Sequence, residues 1–253
     1  MKNKSGCRIM PYLLAWAVHI FTASAVFIGL LSLIKIYQHE YVVALWLMAI
    51  TVVIDSVDGS LARLVNVKKV LPKIDGTLLD NMVDYLNYVV TPSFFLLVKP
   101  DMLPPEYDLW LIFAITLTSA YQFCQDDAKT PDHFFKGFPC YWNFAVFYMF
   151  IFNTSMVTNA WILSILCLLI FIPIKYVYPS RLDYLTTSTT LKALMHSCST
   201  IYGISSAFLL WNYPQSNPIC LAISLGYVVV YLILSIYRTY SPMIIIKNNG
   251  SHG

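Results

Sequence analysis

Four aspartates stand at spacings that let them act together. Asp55 and Asp58 lie in one segment, and Asp80 and Asp84 in a second. In a helix, positions i, i+3, i+4 and i+7 share a face. Asp55, Asp58, Gly59 and Ala62 therefore form one stripe with Arg63 at its edge, and Gly76, Asp80 and Asp84 form another that Asn87 and Thr91 extend. Carboxylates brought that close repel one another and stay ionised only with cations between them. An oxygen-only donor set, without His or Cys, suits hard divalent ions such as Mg2+ or Mn2+. Small residues on the acidic faces leave a hollow beside those ions. Close helix packing is the other use of small residues in membranes. Taken with Arg63, the hollow fits a diphosphate-sized ligand better. Two divalent ions would clamp its oxygens and stabilise both the entering and the leaving oxygen of a displacement.

The elements that must carry these stripes are membrane helices. The chain has 253 residues, of which 58% are hydrophobic and 11% charged, with a mean hydropathy of +0.65. Soluble domains carry about 45–50% apolar and about 25% charged residues, so a water-soluble globular protein and a disordered chain are excluded. The net charge of +3 is too small for nucleic-acid binding through a basic surface. At about 20 residues per transmembrane helix, the apolar stretches predict eight spans: 12–36, 41–65, 76–98, 109–125, 141–152, 160–178, 191–211 and 218–237. The fifth is short and needs the residues up to Val157 to cross. The first has the basic start of a signal peptide, at Lys2, Lys4 and Arg8, but a much longer apolar run, so it reads as a retained helix. The expected fold class is all-α, a polytopic membrane helix bundle forming a single domain over 1–253, with a lead at 1–11 and a frayed tail at 248–253. The six scattered cysteines, without a CxxC pair, read as small apolar residues rather than zinc ligands or a disulfide framework.

Orientation follows from the basic residues. With both termini on one side, that side holds fourteen of the 16 Lys and Arg residues, leaving Lys35 and Lys99 opposite. Such asymmetry marks the cytoplasmic face, so both termini and the 66–75 and 126–140 loops are expected there. Lys68, Lys69 and Lys73 would meet anionic headgroups. The short loop after the second span makes the two acidic helices antiparallel neighbours, with their carboxylates near the same membrane surface. Ionisable groups inside spans are costly and point to function.

Asp55, Asp58, Gly59, Ala62, Arg63, Gly76, Asp80 and Asp84 reproduce the pattern DxxDGxxAR…GxxxDxxxD. The chain thereby resembles the CDP-alcohol phosphatidyltransferase family. Twelve residues separate Arg63 from Gly76, a long gap that resembles the branch of bacterial phosphatidylcholine synthases, as do segments 17–24, 119–123, 129–139 and 141–143. The resemblance implies an enzyme of the bacterial inner membrane, its active site facing the cytoplasm, that converts CDP-diacylglycerol and choline to phosphatidylcholine and CMP. It further implies that Asp55, Asp58, Asp80 and Asp84 hold two divalent ions, Mn2+ or Mg2+, and that Asp84 is also the general base. Asp58, Gly59, Ala62, Arg63 and Gly76 would line the CDP site, and the enzyme would be a homodimer.

A quaternary ammonium has no N–H to donate and is held by aromatic faces, often with a carboxylate. Tyr85 and Tyr88, which flank Asp84, and Asp132, His133, Tyr141 and Trp142 in the 126–143 region are the choline candidates. Tyr and Trp also gather at membrane interfaces without binding anything. His19 is a candidate polar anchor, with an interhelical hydrogen bond as the alternative. Rival readings are the same chemistry on serine, inositol or glycerol phosphate, and a membrane polyprenyl transferase, which would lack the Gly59, Ala62, Arg63 and Gly76 pattern. A cation transporter would place its site near the midplane, often between internal repeats, whereas this cluster is terminal and unrepeated.

Overall fold

A computed structural model describes residues 6–130, 134–177 and 188–240, with side chains from Ile9 onward. Asp132 and His133, Lys2, Lys4, Arg181 and Lys247, residues 1–5 of the lead and the whole tail lie outside the described residues. Helix dominates: α1 (Gly6–Tyr37), α2 (Tyr41–Val65), α3 (Val67–Val70), α4 (Gly76–Asp84), a π-helical segment (Tyr85–Val90), α5 (Thr91–Val98), α6 (Asp108–Cys124), α7 (Trp142–Phe152), α8 (Met156–Leu169), α9 (Thr189–Trp211) and α10 (Pro218–Tyr240). Four are long and apolar enough to cross a membrane: α1 over Ile9–Tyr37, α2, α9 and α10. The others are shorter, but α4, the π segment and α5 follow one another without a break. Each of the eight predicted stretches thus contains helix.

Boundaries differ where local capping overrides hydropathy. The fifth stretch does not run on to 157. Asn153 takes the left-handed conformation (φ 46°) and its backbone N–H closes α7 on Phe150 O. The Ser155 hydroxyl then accepts from Thr158 N at 3.2 Å, starting α8 at Met156 rather than at 160. At its other end α8 stops at Leu169, well short of 178.

Pro92 explains the π segment. Proline has no N–H and its ring crowds the carbonyl four residues back, here that of Tyr88. The turn before it widens, and Thr91 N–H bonds Leu86 O, five residues earlier. Such single wide turns inside helices are common at functional sites.

α1 and α2 form the most extensive helix pair, an antiparallel hairpin in which Ser32 Oγ donates to Ala44 O at 3.0 Å. At the turn between them Lys35 pairs with Glu40 at 2.8 Å. Nearby the Tyr41 hydroxyl donates to Val98 O, and the Lys99 ammonium lies over the Tyr41 and Phe150 rings. The end of α1, the start of α2 and the end of α5 therefore share one pole, and the acidic stripes lie toward the other. The main core joins α2, α5, α6, α7 and α8 around Leu45, Phe95, Ile115, Trp142 and Leu163. Outward faces are apolar too: Trp110 is 72% and Trp211 78% exposed. A helix that is apolar all round belongs in a membrane.

A two-stranded antiparallel pair was not expected. β1 (Phe135–Lys136) meets β2 (Lys175–Tyr176), with Phe135 opposite Tyr176 and Lys136 opposite Lys175. Gly137 follows at φ 80°, where a Cβ would strike Ile170 O. Only glycine tolerates both the conformation and the approach.

Candidate functional site

The two acidic helices are positioned by their ends. Asn66, in the left-handed conformation (φ 55°), terminates α2 just after Arg63, its N–H turned to the Ala62 and Arg63 carbonyls. Asp75 caps α4, its carboxylate accepting from Thr77 N at 3.0 Å and Leu78 N at 3.1 Å. An aspartate at this position satisfies helix donors that would otherwise lack partners, and α4 therefore begins at Gly76.

One carboxylate oxygen from each of Asp55, Asp80 and Asp84 lies within 4.8 Å of the others. All three side chains are half-buried. Hard divalent ions take oxygen ligands at about 2.0–2.6 Å, so ligands around one ion lie within about 5 Å of each other, as these three oxygens do. Asp58 stands outside the trio. It is buried close to Thr22 of α1, whose hydroxyl donates to Val18 O at 3.3 Å. The Tyr88 hydroxyl donates to Asp55 Oδ2 at 2.8 Å, fixing that carboxylate from the π segment. Lys129, in the loop after α6, acts on Asp55 and Asp84 through its charge.

Gly59 and Gly76 have different surroundings. A Cβ on Gly59 would meet only Arg63 Nη1, at 3.4 Å, and one on Gly76 would come to 3.2 Å from His19 Cε1. Arg63 is exposed and donates to Ser60 Oγ at 2.9 Å.

The aromatic candidates divide. The Tyr88 and Tyr141 rings lie 6.1 Å apart, and Phe135 and Phe144 pack edge-on against Tyr141 at 6.4 and 5.6 Å. Tyr85 turns to α6 instead, donating to Thr116 O at 2.9 Å and packing on Phe123. Trp142 is fully buried in the core, its indole N–H on Ser119 Oγ at 2.8 Å. Asn87 leaves the acidic stripe: it is buried against α1, donating to Ala25 O at 3.2 Å, while Thr91 folds back on Leu86 O. The π turn rotates everything after Asp84, which the simple helical count did not anticipate.

Sequence reasoning missed Thr22, Lys129 and Phe144 as neighbours of the site. The helical spacing of Thr22 from His19 was the available signal for the first. The others depend on how the 125–144 segment folds back. There Lys136 pairs with Asp127, holding that exposed carboxyl below the usual carboxylate range through their hydrogen bond.

Comparison with known proteins matches residues 10–173 to the family model described as CDP-alcohol phosphatidyltransferase. The chain is 72% identical over 232 residues to the phosphatidylcholine synthase of Legionella pneumophila, covering 92% of this chain and 91% of that protein. It is 45% identical over 169 residues to the protein of the same name from Borreliella burgdorferi, 67% of this chain and 72% of the relative. For the Rhizobium meliloti protein, again a phosphatidylcholine synthase, the identity is 36% over 180 residues, 70% and 74% of the two chains. These likenesses and the four spanning helices make the chain an integral membrane protein.

Proposed function

This chain belongs to the CDP-alcohol phosphatidyltransferase family, and from that premise we propose that it transfers the phosphatidyl group of CDP-diacylglycerol to choline, giving phosphatidylcholine and CMP. The observation that carries the chemistry is the convergence of Asp55, Asp80 and Asp84 from two antiparallel helices. The acceptor rests on the relatives named phosphatidylcholine synthase and on the paired Tyr88 and Tyr141 rings beside the carboxylates.

Asp55, Asp80 and Asp84, with Asp58 one turn from Asp55, would hold two divalent ions, Mn2+ or Mg2+. Bound there, the ions supply positive charge against the diphosphate oxygens of the nucleotide-lipid. Asp58, Gly59, Ala62 and Gly76 leave room for CDP, and Arg63 pairs with phosphate. Asp84 takes the proton from the choline hydroxyl onto a carboxylate oxygen. The choline oxygen forms its bond to the lipid-side phosphorus as the bond from that phosphorus to CMP breaks. Tyr88 and Tyr141, with Phe135 beside them, present ring faces to the trimethylammonium group. Tyr88 also holds Asp55 in place, so one side chain serves both halves of the reaction.

Eight spans, both termini in the cytoplasm and an active site opening there from the bacterial inner membrane complete the proposal. It is supported by the clustering of Lys35, Glu40 and Lys99 at the pole opposite the carboxylates. By analogy with the family, the proposed enzyme is a homodimer.

The test uses the purified full chain in detergent with CDP-diacylglycerol and labelled choline, serine, inositol or glycerol phosphate. CMP release should depend on choline, vanish with EDTA and return with Mn2+. Release driven by serine rather than choline would overturn the acceptor assignment.

A further inference from the structure

Among the described elements, α10 packs mainly on α9 and on the short strand β2. Three of its side chains, Tyr231, Ser235 and Thr239, stand four residues apart and so share a face. All three turn to the strand. Thr239 Oγ1 accepts from Lys175 N at 2.8 Å, Ser235 Oγ accepts from Val177 N at 3.3 Å, and the Tyr231 hydroxyl donates to Val177 O at 3.1 Å. Four residues of α-helix rise about 6 Å and two residues of strand about 6.6 Å. Hydroxyls at 235 and 239 therefore keep step with the amides at 177 and 175.

The protons of these two hydroxyls are committed to the helix itself. Ser235 Oγ donates to Tyr231 O at 2.8 Å and Thr239 Oγ1 to Ser235 O at 2.9 Å, which leaves each oxygen to accept from the strand. Along its other edge β2 meets β1, and Ile174 O accepts from Gly137 N at 3.0 Å. A bare strand edge carries unpaired N–H and C=O groups, and buried ones need partners. Tyr176, Val177 and Ser235 are all buried. α10 thus stands where a third strand would.

What β2 supports is the aromatic wall. β1 carries Phe135, whose ring packs on Tyr141, and Tyr141 faces Tyr88. Tyr231 itself lies close to Tyr141 and packs on Tyr176. The strand β2 and the three hydroxyls of α10 all lie beyond residue 173, where the match to the family model ends.

We propose that Tyr231, Ser235 and Thr239 are positioning residues for the acceptor alcohol: they fix β2 and, through β1, set where Phe135 and Tyr141 stand relative to Tyr88. This rests on the reading of Tyr88 and Tyr141 as the choline site and adds a support from α10, outside the acidic helices.

Steady-state kinetics of the full chain in detergent with Mn2+ test it, choline and CDP-diacylglycerol being varied separately. Thr239→Val keeps the shape of the side chain and removes its oxygen, and Tyr231→Phe removes only a hydroxyl. The double variant should raise the choline KM about tenfold, the size of one or two hydrogen bonds. Its kcat at saturating choline and its KM for CDP-diacylglycerol should hold. Thr239→Ser, which keeps the oxygen, should retain the wild-type choline KM. In a chain already carrying Tyr141→Leu the double variant should add nothing, because its effect passes through that ring. An unchanged choline KM, an equal rise in both KM values, or an undiminished further rise in the Tyr141→Leu chain would overturn the assignment. Should the double variant fail to fold, Tyr231→Phe alone decides: its choline KM should rise about threefold, and a wild-type value would overturn the assignment. A wild-type chain that uses serine, inositol or glycerol phosphate instead would end the choline reading. The role of α10 would then stand or fall on whether the KM for that alcohol rises in the same variants.

Discussion

At the scale of single residues, the carboxylates are not equivalent. In the proposed reaction Asp84 is both a metal ligand and the acceptor of the hydroxyl proton, so Asp84→Asn should abolish turnover while keeping CDP-lipid binding. Asp80→Asn should instead raise the Mn2+ concentration needed for half-maximal rate. Full activity in Asp84→Asn would remove it from the proton-accepting role. Tyr88 separates into a ring and a hydroxyl. Tyr88→Phe removes only the 2.8 Å bond to Asp55 and should lower kcat about tenfold, the equivalent of about 1.4 kcal/mol, with the choline KM unchanged. Tyr88→Leu removes the ring as well and should raise the choline KM. An unaltered choline KM in that variant would take the aromatic face out of acceptor binding.

Among elements, the short strand pair carries more than its length suggests. Gln122 Nε2 donates to Lys136 O at 2.7 Å, and the Gly137 and Phe138 amides donate to Ile174 O and Leu169 O. These bonds hold Phe135 against Tyr141, which faces Tyr88; in the proposed acceptor site such preformed contacts would reduce the ordering cost of binding. Gly137→Ala would force a side chain into a φ of 80° against Ile170 O. It should destabilise the fold by about 1–3 kcal/mol, read as a lower melting temperature in detergent. The acidic stripes were legible in the sequence because they depend on spacing along single helices, and Gly76, Asp80 and Asp84 obey it. The strand pair and the aromatic wall were not, because they depend on contacts across some forty residues between β1 and β2. The place of Asn87 was misread for a third reason: proline chemistry changed the helical count locally.

For the whole molecule, the proposed eight-span arrangement predicts which loops see which compartment. Alkaline phosphatase, which folds only outside the cytoplasm, should be inactive when fused after Lys73 or Lys136 and active when fused after Lys99. Activity after Lys73 would place the acidic site on the wrong side for cytoplasmic nucleotide. The apolar outer faces of α9 and α10, with about half or more of Ile204, Val230 and Ile233 exposed, require lipid or detergent, so melting should depend on detergent chain length.

The wide turn before Pro92 has a consequence for how the acidic helix is aimed. A π turn amounts to one surplus residue in an otherwise regular α-helix. Each α-helical residue rotates the chain by about 100°. Deleting a residue between Asp84 and Pro92 would return the turn to the ordinary count, whereas a further residue that the turn does not absorb would swing α4 by roughly that angle about its axis relative to α5, carrying Asp80 and Asp84 away from Asp55 with the acidic pattern unchanged in sequence. The residue count from the last aspartate to the proline is thus part of the apparatus: an inventory of the acidic motif alone would pass such an insertion as intact.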